Sequence, residues 1–393
     1  MPASDPVELA DSPFILACRR QPTPHVPVWF MRQAGRALPE YLAARGPGSI
    51  LEAITHPELV AELTLQPVRR YGTDAAIFFS DIVVPVAAIG FGVDIAPGIG
   101  PTVDRPFRTA SDLERVRPLE PESDTPYVAE AVSILAGELD VPLIGFAGGP
   151  FTVGSYLVEG GPSKNFTRIK ALMHTDPKLW HRLVERLTDQ AVASLRSQLD
   201  AGASAAQVFD SWAGILTPRD YEEFVLPATR RLFAELDGSH PGVPTILFGV
   251  GTGELLPLMA LAGSTVMGID WRVPLDAARR RVGPHLAVQG NLDPALCLAP
   301  WDVVADEARD VLSRAGTEPG HVFNLGHGVL PETDPGILEQ LVELVHREGR
   351  AGVGAGAGAG RGPRGGGSEG FGGSVGSGPE DSWGPEDSGG RQS

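Results

Sequence analysis

Eight short apolar runs punctuate the chain, and their spacing limits the folds it can adopt. They read "VPVWFM" at 26–31, "AAIFF" at 75–79, "VPLIGF" at 141–146, "AAQVF" at 205–209, "PTILF" at 244–248, "TVMGI" at 265–269, "LAVQG" at 286–290 and "HVFNLG" at 321–326. Each is apolar on consecutive residues rather than alternate ones, which suits a strand buried on both faces. Helical patterns separate most of them, so the strands run parallel under a layer of helices. Eight is the number that closes a (β/α)8 barrel, a TIM-type α/β fold of roughly 250 to over 400 residues. The alternative is an open doubly wound sheet, but no G-x-G-x-x-G follows the first run.

Between the strand candidates, "DPKLWHRLVERLTDQAVASLRSQLDAG" at 176–202 repeats apolar residues at three- and four-residue spacing, with Gly202 placed as a cap. "TPRDYEEFVLPATRRLFAEL" at 217–236 reads as a helix opened by Thr217 and Pro218. "GFGVDIAPGIGPTVDRPF" between runs two and three has the glycines and prolines of a hairpin insertion. From residue 349 the chain turns to "GRAGVGAGAGAGRGPRGGG" and ends in "GPEDSWGPEDSGGRQS". That composition buries too little apolar area to offset ordering entropy. The expected organisation is one barrel domain over 1–348 and a disordered glycine-rich tail over 349–393.

Net charge of −17 over 393 residues argues against nucleic-acid binding, which needs a basic face. It also means that an acidic ligand must be drawn in by a local basic pocket. The two cysteines, Cys18 and Cys297, match neither a disulfide framework nor a zinc spacing and read as inert thiols of a reducing cytoplasm. The N-terminal residues lack a signal peptide's pattern, and the most apolar internal run is too short to span a bilayer. A soluble cytoplasmic protein is expected.

In a barrel, chemistry sits at the C-terminal ends of the strands. Nearly every run here ends in polar residues: Arg32; Ser80 and Asp81; "AGGPFT" followed by Tyr156; Asp210 and Ser211; Asp270 and Trp271; Asn291 and Asp293; and His327 within "NLGHG". Asp81 is the one charged residue from Ala75 to Gly90. It is either a structural acid held by backbone amides or an anion aimed at a ligand's N–H groups or positive charge. Arg32 and Arg36 flank Gln33, Ala34 and Gly35, with Arg45 further on. They form either a helix-surface pair, Arg36 with Glu40, or a cluster for carboxylate or phosphate. The turn "GGPFT" at 148–152 offers N–H groups to an anion.

Taken together, "PVWFMRQAGRALPEY", "FFSDIVVP", "GFAGGPFTVGSYLVEGG", "FDSWAG", "GIDW", "LAVQGNLDP" and "NLGHGVLPETDP" resemble, in order, the sequence blocks of the uroporphyrinogen decarboxylase family. The resemblance runs from about Asp11 to Arg347. It implies removal of four acetate carboxyls from uroporphyrinogen III to give coproporphyrinogen III in haem biosynthesis, without metal or organic cofactor, by a homodimer. It also implies substrate contacts at Arg32, Gln33, Ala34, Gly35, Arg36, Arg45, Asp81, Tyr156, Phe209, Ser211 and His327, with Asp81, Arg32 and His327 nearest the chemistry. Two other classes make different demands. A methyltransferase on this barrel needs a zinc site with His-x-Cys, which the sequence lacks, and a non-catalytic tetrapyrrole carrier would bind without releasing CO2.

Overall fold

A computed structural model describes residues 9–96 and 99–349. The expected tail therefore lies outside the described residues, apart from Gly349. Seven strands form one parallel sheet: β1 (Ala76–Ile77), β4 (Leu143–Gly148), β5 (Ala205–Phe209), β6 (Thr245–Phe248), β7 (Val266–Gly268), β8 (Ala287–Gln289) and β9 (His321–Val322), hydrogen-bonded in that order. The remaining two, β2 (Val93–Ala96) and β3 (Gly100–Val103), form the antiparallel hairpin expected between the second and third runs.

The first run closes the ring without becoming a regular strand. Val28 bridges Phe323 in parallel; Phe323 N–H donates to the Pro27 carbonyl at 2.8 Å, and Asp74 N–H donates to the Val28 carbonyl at 2.9 Å. The segment thus lies between β9 and β1 as an eighth stave. Side chains stand in for part of its ladder: Pro27 has no N–H, and Val28 N–H donates to the Asp74 carboxylate at 2.7 Å. Gln33 spans the same seam, accepting from Phe30 N–H at 3.1 Å and donating to the Ala75 carbonyl at 3.3 Å. The fold is a closed (β/α)8-type barrel, not the open sheet.

Inside the ring, Trp29, Met31, Ala75, Ile77, Ile144, Ala205, Ile246, Phe248, Val266, Ala287 and Val322 make one apolar cluster, to which the helix Pro13–Cys18 adds Phe14, Ile15, Ala17 and Cys18. A chain of three polar side chains crosses this interior. Trp29 Nε1 donates to Gln289 Oε1 at 3.0 Å, and Gln289 Nε2 donates to Gln207 Oε1 at 3.1 Å. A larger cluster packs the helices on the outside of the sheet.

The long helix forms as read, over Pro177–Asp200, with Asp176 capping Leu179 N–H and Gly202 at φ +119° just beyond it. The pattern at 217–236, however, is two helices, Pro218–Phe224 and Leu226–Ser239. Pro227 explains the break, because it has no N–H to continue the ladder and its ring clashes with the preceding turn. Thr217 caps the first of the two, accepting from Asp220 N–H at 3.1 Å. No helix among the described residues is long and apolar enough to cross a membrane.

Candidate active site

The chain leaves the first stave at Met31 and turns sharply. Arg32 adopts φ +58°, a left-handed conformation that costs a non-glycine residue energy. Two contacts with the last barrel loop hold it there. Val329 N–H donates to the Met31 carbonyl at 2.8 Å, and the Arg32 side chain lies so close to Gly328 that a Cβ there would meet Arg32 Cδ at 2.5 Å. Glycine at 328 is what lets the arginine and His327 share one corner.

His327 is half-buried, and its Nδ1 accepts from Gly328 N–H at 2.7 Å. The neutral ring therefore carries its proton on Nε2, which is left as a donor. Burial pulls its pKa down to about 4, helped by the positive charges of Arg32 and Arg272 and opposed by Asp270. At neutral pH His327 is an uncharged donor rather than a stored proton.

Asp81 follows β1, and its Oδ1 accepts from Val83 N–H at 3.0 Å. No side chain among the described residues donates to the carboxylate. Burial pushes its pKa up; the Val83 amide, the charge of Arg32 and the Ile82 amide pull the other way. Arg32 is close enough to act on Asp81, yet it makes no ion pair among the described residues. The backbone-held reading of Asp81 is thus half satisfied, and the rest of its acceptor capacity stays open.

Tyr156 comes from the helix Pro150–Glu159 and packs against Trp212 with ring centroids 4.0 Å apart. Burial and Asp81 push its pKa up to about 12 against the pull of Arg32, so the phenol keeps its proton in the field of both charges. Phe209 ends β5 and meets Phe146 at 5.3 Å and Phe248 at 6.0 Å edge to face; Phe248 in turn faces His327 at 6.4 Å. Ser211 stands half-buried two residues beyond. Asp81, Arg32, Tyr156 and His327 thus share one electrostatic neighbourhood, edged by the aromatic row.

The arginine question also resolves. Glu40 pairs with Arg70 at 3.3 Å rather than with Arg36, and Arg70 Nε also reaches Glu339 at 2.6 Å. Among the described residues, neither Arg32 nor Arg36 makes an ion pair, and both are exposed. Arg36 and Arg45 both act on the buried Tyr41 hydroxyl, whose pKa burial pushes up and the two arginines pull down. Arg45 also donates to the Gly48 carbonyl at 3.0 Å. Ala34 and Gly35 are half-buried in the turn between the arginines. Gln33 is 1% exposed, and its amide is committed to the barrel seam.

One expectation is corrected. The "GGPFT" turn does not hold its amides out for a ligand. Pro150 has none, Gly149 N–H donates to the Phe209 carbonyl at 2.8 Å, and Thr152 N–H and Oγ1 donate to Asp210 Oδ1 at 2.9 and 2.6 Å. The anion received is the chain's own Asp210, whose pKa burial raises to about 6 despite both Thr152 bonds. Thr152 Oγ1 also accepts from Trp212 N–H at 3.1 Å, so this knot fixes both partners of the Tyr156–Trp212 stack. Arg272, which the sequence reading passed over, is a further cation at this end. It stacks on Trp271 at 3.8 Å and bonds the buried Asp270 at 2.8 Å. Its signal was present, an arginine three residues after an expected strand end. The cysteines are both buried; burial pushes the Cys18 thiol far up and that of Cys297 to about 12.

Comparison with known proteins shows which family the chain belongs to. Residues 9–348 match the family model described as Uroporphyrinogen decarboxylase (URO-D). The "Uroporphyrinogen decarboxylase" of Salinispora tropica is 59% identical over 342 residues, covering 87% of this chain and 91% of that protein. That of Streptomyces coelicolor is 59% identical over 344 residues, covering 87% and 96%. Among solved structures, a methyltransferase from Methanosarcina mazei superposes with a TM-score of 0.71 at 22% identity, covering 85% of this chain and 97% of that one, a likeness of fold. With the match spanning almost the whole barrel, the chain belongs to the uroporphyrinogen decarboxylase family.

Proposed function

We propose that the strand-end cluster decarboxylates uroporphyrinogen III to coproporphyrinogen III, with Asp81 and the arginines dividing the work. The observation that carries this is the pairing of an under-bonded Asp81 with guanidinium groups that make no ion pair, on a chain of net charge −17. The substrate carries eight carboxylates around a ring of four pyrrole N–H groups. Arginines suit the rim, where their planar donors match carboxylate oxygens. A carboxylate suits the centre, where N–H donors converge.

Each step replaces CH2–COO− by CH3: one proton is consumed and one CO2 leaves. Protonating a pyrrole ring carbon makes the ring cationic, and the electrons of the breaking CH2–CO2 bond flow into it. A second protonation at the resulting methylene, with loss of the ring proton, restores the pyrrole. The substrate is therefore its own electron sink. The protein must stabilise a cation and hold each arm in turn. Asp81 serves the first need as a fixed anion in a partly dry site, and pyrrole N–H donors would draw its raised pKa back down. Arg32, Arg36 and Arg45 serve the second. Neutral His327 donates through Nε2, Tyr156 through its phenol, and Phe209 and Ser211 complete the wall; the backbone of Gln33, Ala34 and Gly35 shapes the arginine turn. With His327 neutral, the proton is better assigned to a water polarised by Arg32. We further propose a cytoplasmic homodimer.

Incubation with chemically reduced uroporphyrin III under anaerobic conditions should yield coproporphyrinogen and four equivalents of CO2. Tight substrate binding with no CO2 would leave a carrier instead.

A further inference from the structure

A second constellation lies at the other end of the barrel. His25 precedes the first stave and Asp74 precedes β1, so both belong to the N-terminal ends of the strands. His346 sits in the last turn of the helix Pro335–Glu348, which runs back toward that end. His25 Nε2 donates to Asp74 Oδ1 at 2.8 Å, and His346 Nε2 donates to Asp74 Oδ2 at 2.7 Å. The ligand-type atoms of the three residues all lie within 4.8 Å of one another. The imidazole centroids are 4.2 Å apart.

Two imidazoles and a carboxylate are the donor set that zinc and neighbouring divalent ions take in proteins. Three further features fit a cation. Val28 N–H fixes Asp74 Oδ2 at 2.7 Å, as an outer partner orients a ligating carboxylate. Neither His25 Nδ1 nor His346 Nδ1 is hydrogen-bonded among the described residues, so each ring can carry its proton there and turn an Nε2 lone pair inward without losing charge balance. The side chains of His25 and His346 are 25% and 31% exposed, against 10% for Asp74, which leaves a water-facing coordination position. Metal–ligand bonds of about 2.0–2.2 Å put tetrahedral ligand atoms about 3.4 Å apart. The present contacts of 2.7 and 2.8 Å, made to the two different oxygens of Asp74, must therefore open by about 0.6–0.7 Å, a movement within reach of partly exposed histidines.

We propose that His25, Asp74 and His346 form a Zn2+-class metal site that ties the barrel's first stave and β1 to its last helix, remote from the decarboxylation site. Its ligands come from three distant parts of the chain, so occupancy would raise stability without entering the chemistry.

Metal-stripped full-length protein titrated with ZnCl2 should bind one equivalent per chain with a rise in melting temperature. CoCl2 should give the visible ligand-field bands of a four-coordinate N/O site. His25→Ala and His346→Ala should each weaken binding at least tenfold, with turnover per folded molecule unchanged. His25→Gln, which keeps a donor for Asp74 but removes the imidazole, should lose the metal while retaining the fold. Absence of saturable binding, or equal binding by wild type and the two alanine variants, would overturn the site.

Discussion

The two ends of the barrel treat the same kinds of side chain in opposite ways. At the N-terminal end, Asp74 accepts three hydrogen bonds, from His25, His346 and Val28. Burial alone would push its pKa up, but these donors outweigh burial and hold it below the ordinary value. At the C-terminal end, Asp81 has only backbone amides and a nearby arginine with no ion pair, and burial wins, leaving its pKa raised. A saturated carboxylate stabilises the fold, whereas an under-bonded one costs stability and keeps its capacity for a ligand. On the proposed reading, the contrast separates the end that holds the barrel together from the end that reacts.

Among the cations of the C-terminal end, Arg32 should have the largest effect on function. Arg32→Ala should lower kcat/KM on the order of 100-fold, because it removes both a carboxylate contact and the charge facing Asp81. A steady-state assay checks this, and a change below threefold would put the ligand elsewhere. Arg36→Ala should cost about tenfold, mostly in KM, and the loss should shrink at high salt as an exposed charge requires. A salt-independent loss would mean that Arg36 shapes the turn rather than binds.

The smallest effect concerns His327. With a folded pKa near 4, it changes charge well below the usual histidine range. His327→Gln keeps a side-chain donor, and it should retain kcat/KM within about tenfold and leave the pH profile unmoved above pH 5. Loss of an acidic limb near pH 6.5 in that variant would show instead that the imidazolium supplies the proton.

Which parts of this were legible in the sequence follows from how local each signal is. The parallel barrel was, because continuous apolar runs such as "PTILF" and "AAQVF" leave no polar face. The placement of Arg32, Asp81 and His327 at the strand ends was too, because each lies within two residues of a run's end. What stayed hidden depends on residues distant in sequence. The first stave reads as an ordinary strand, yet Asp74 and Gln33 supply part of its pairing. The "GGPFT" amides read as open, but Asp210 and the Phe209 carbonyl, both at another strand end, take those of Thr152 and Gly149. The Asp74 clamp joins residues 25, 74 and 346, and no window of sequence contains all three. The break at Pro227 was local and readable, but the strong apolar period on either side of it outweighed the proline.

The comparison of the two ends is tested most directly by measuring turnover and melting temperature together on Asp81→Asn and Asp74→Asn. Because the folded pKa of Asp81 is raised, its charge costs stability at neutral pH, and that cost fades as the pH falls through the raised folded value and is gone below the unfolded value of about 3.9. Because that of Asp74 is lowered, its contribution is present at neutral pH and is lost as the pH falls through the folded value. At pH 7, Asp81→Asn should therefore melt higher than wild type while losing at least 100-fold in turnover. Asp74→Asn should lose about 1–3 kcal/mol of stability, leaving one donor facing an amide N–H, and keep its turnover per folded molecule. Near-normal turnover in Asp81→Asn, or parallel losses of stability and turnover in both variants, would contradict the division.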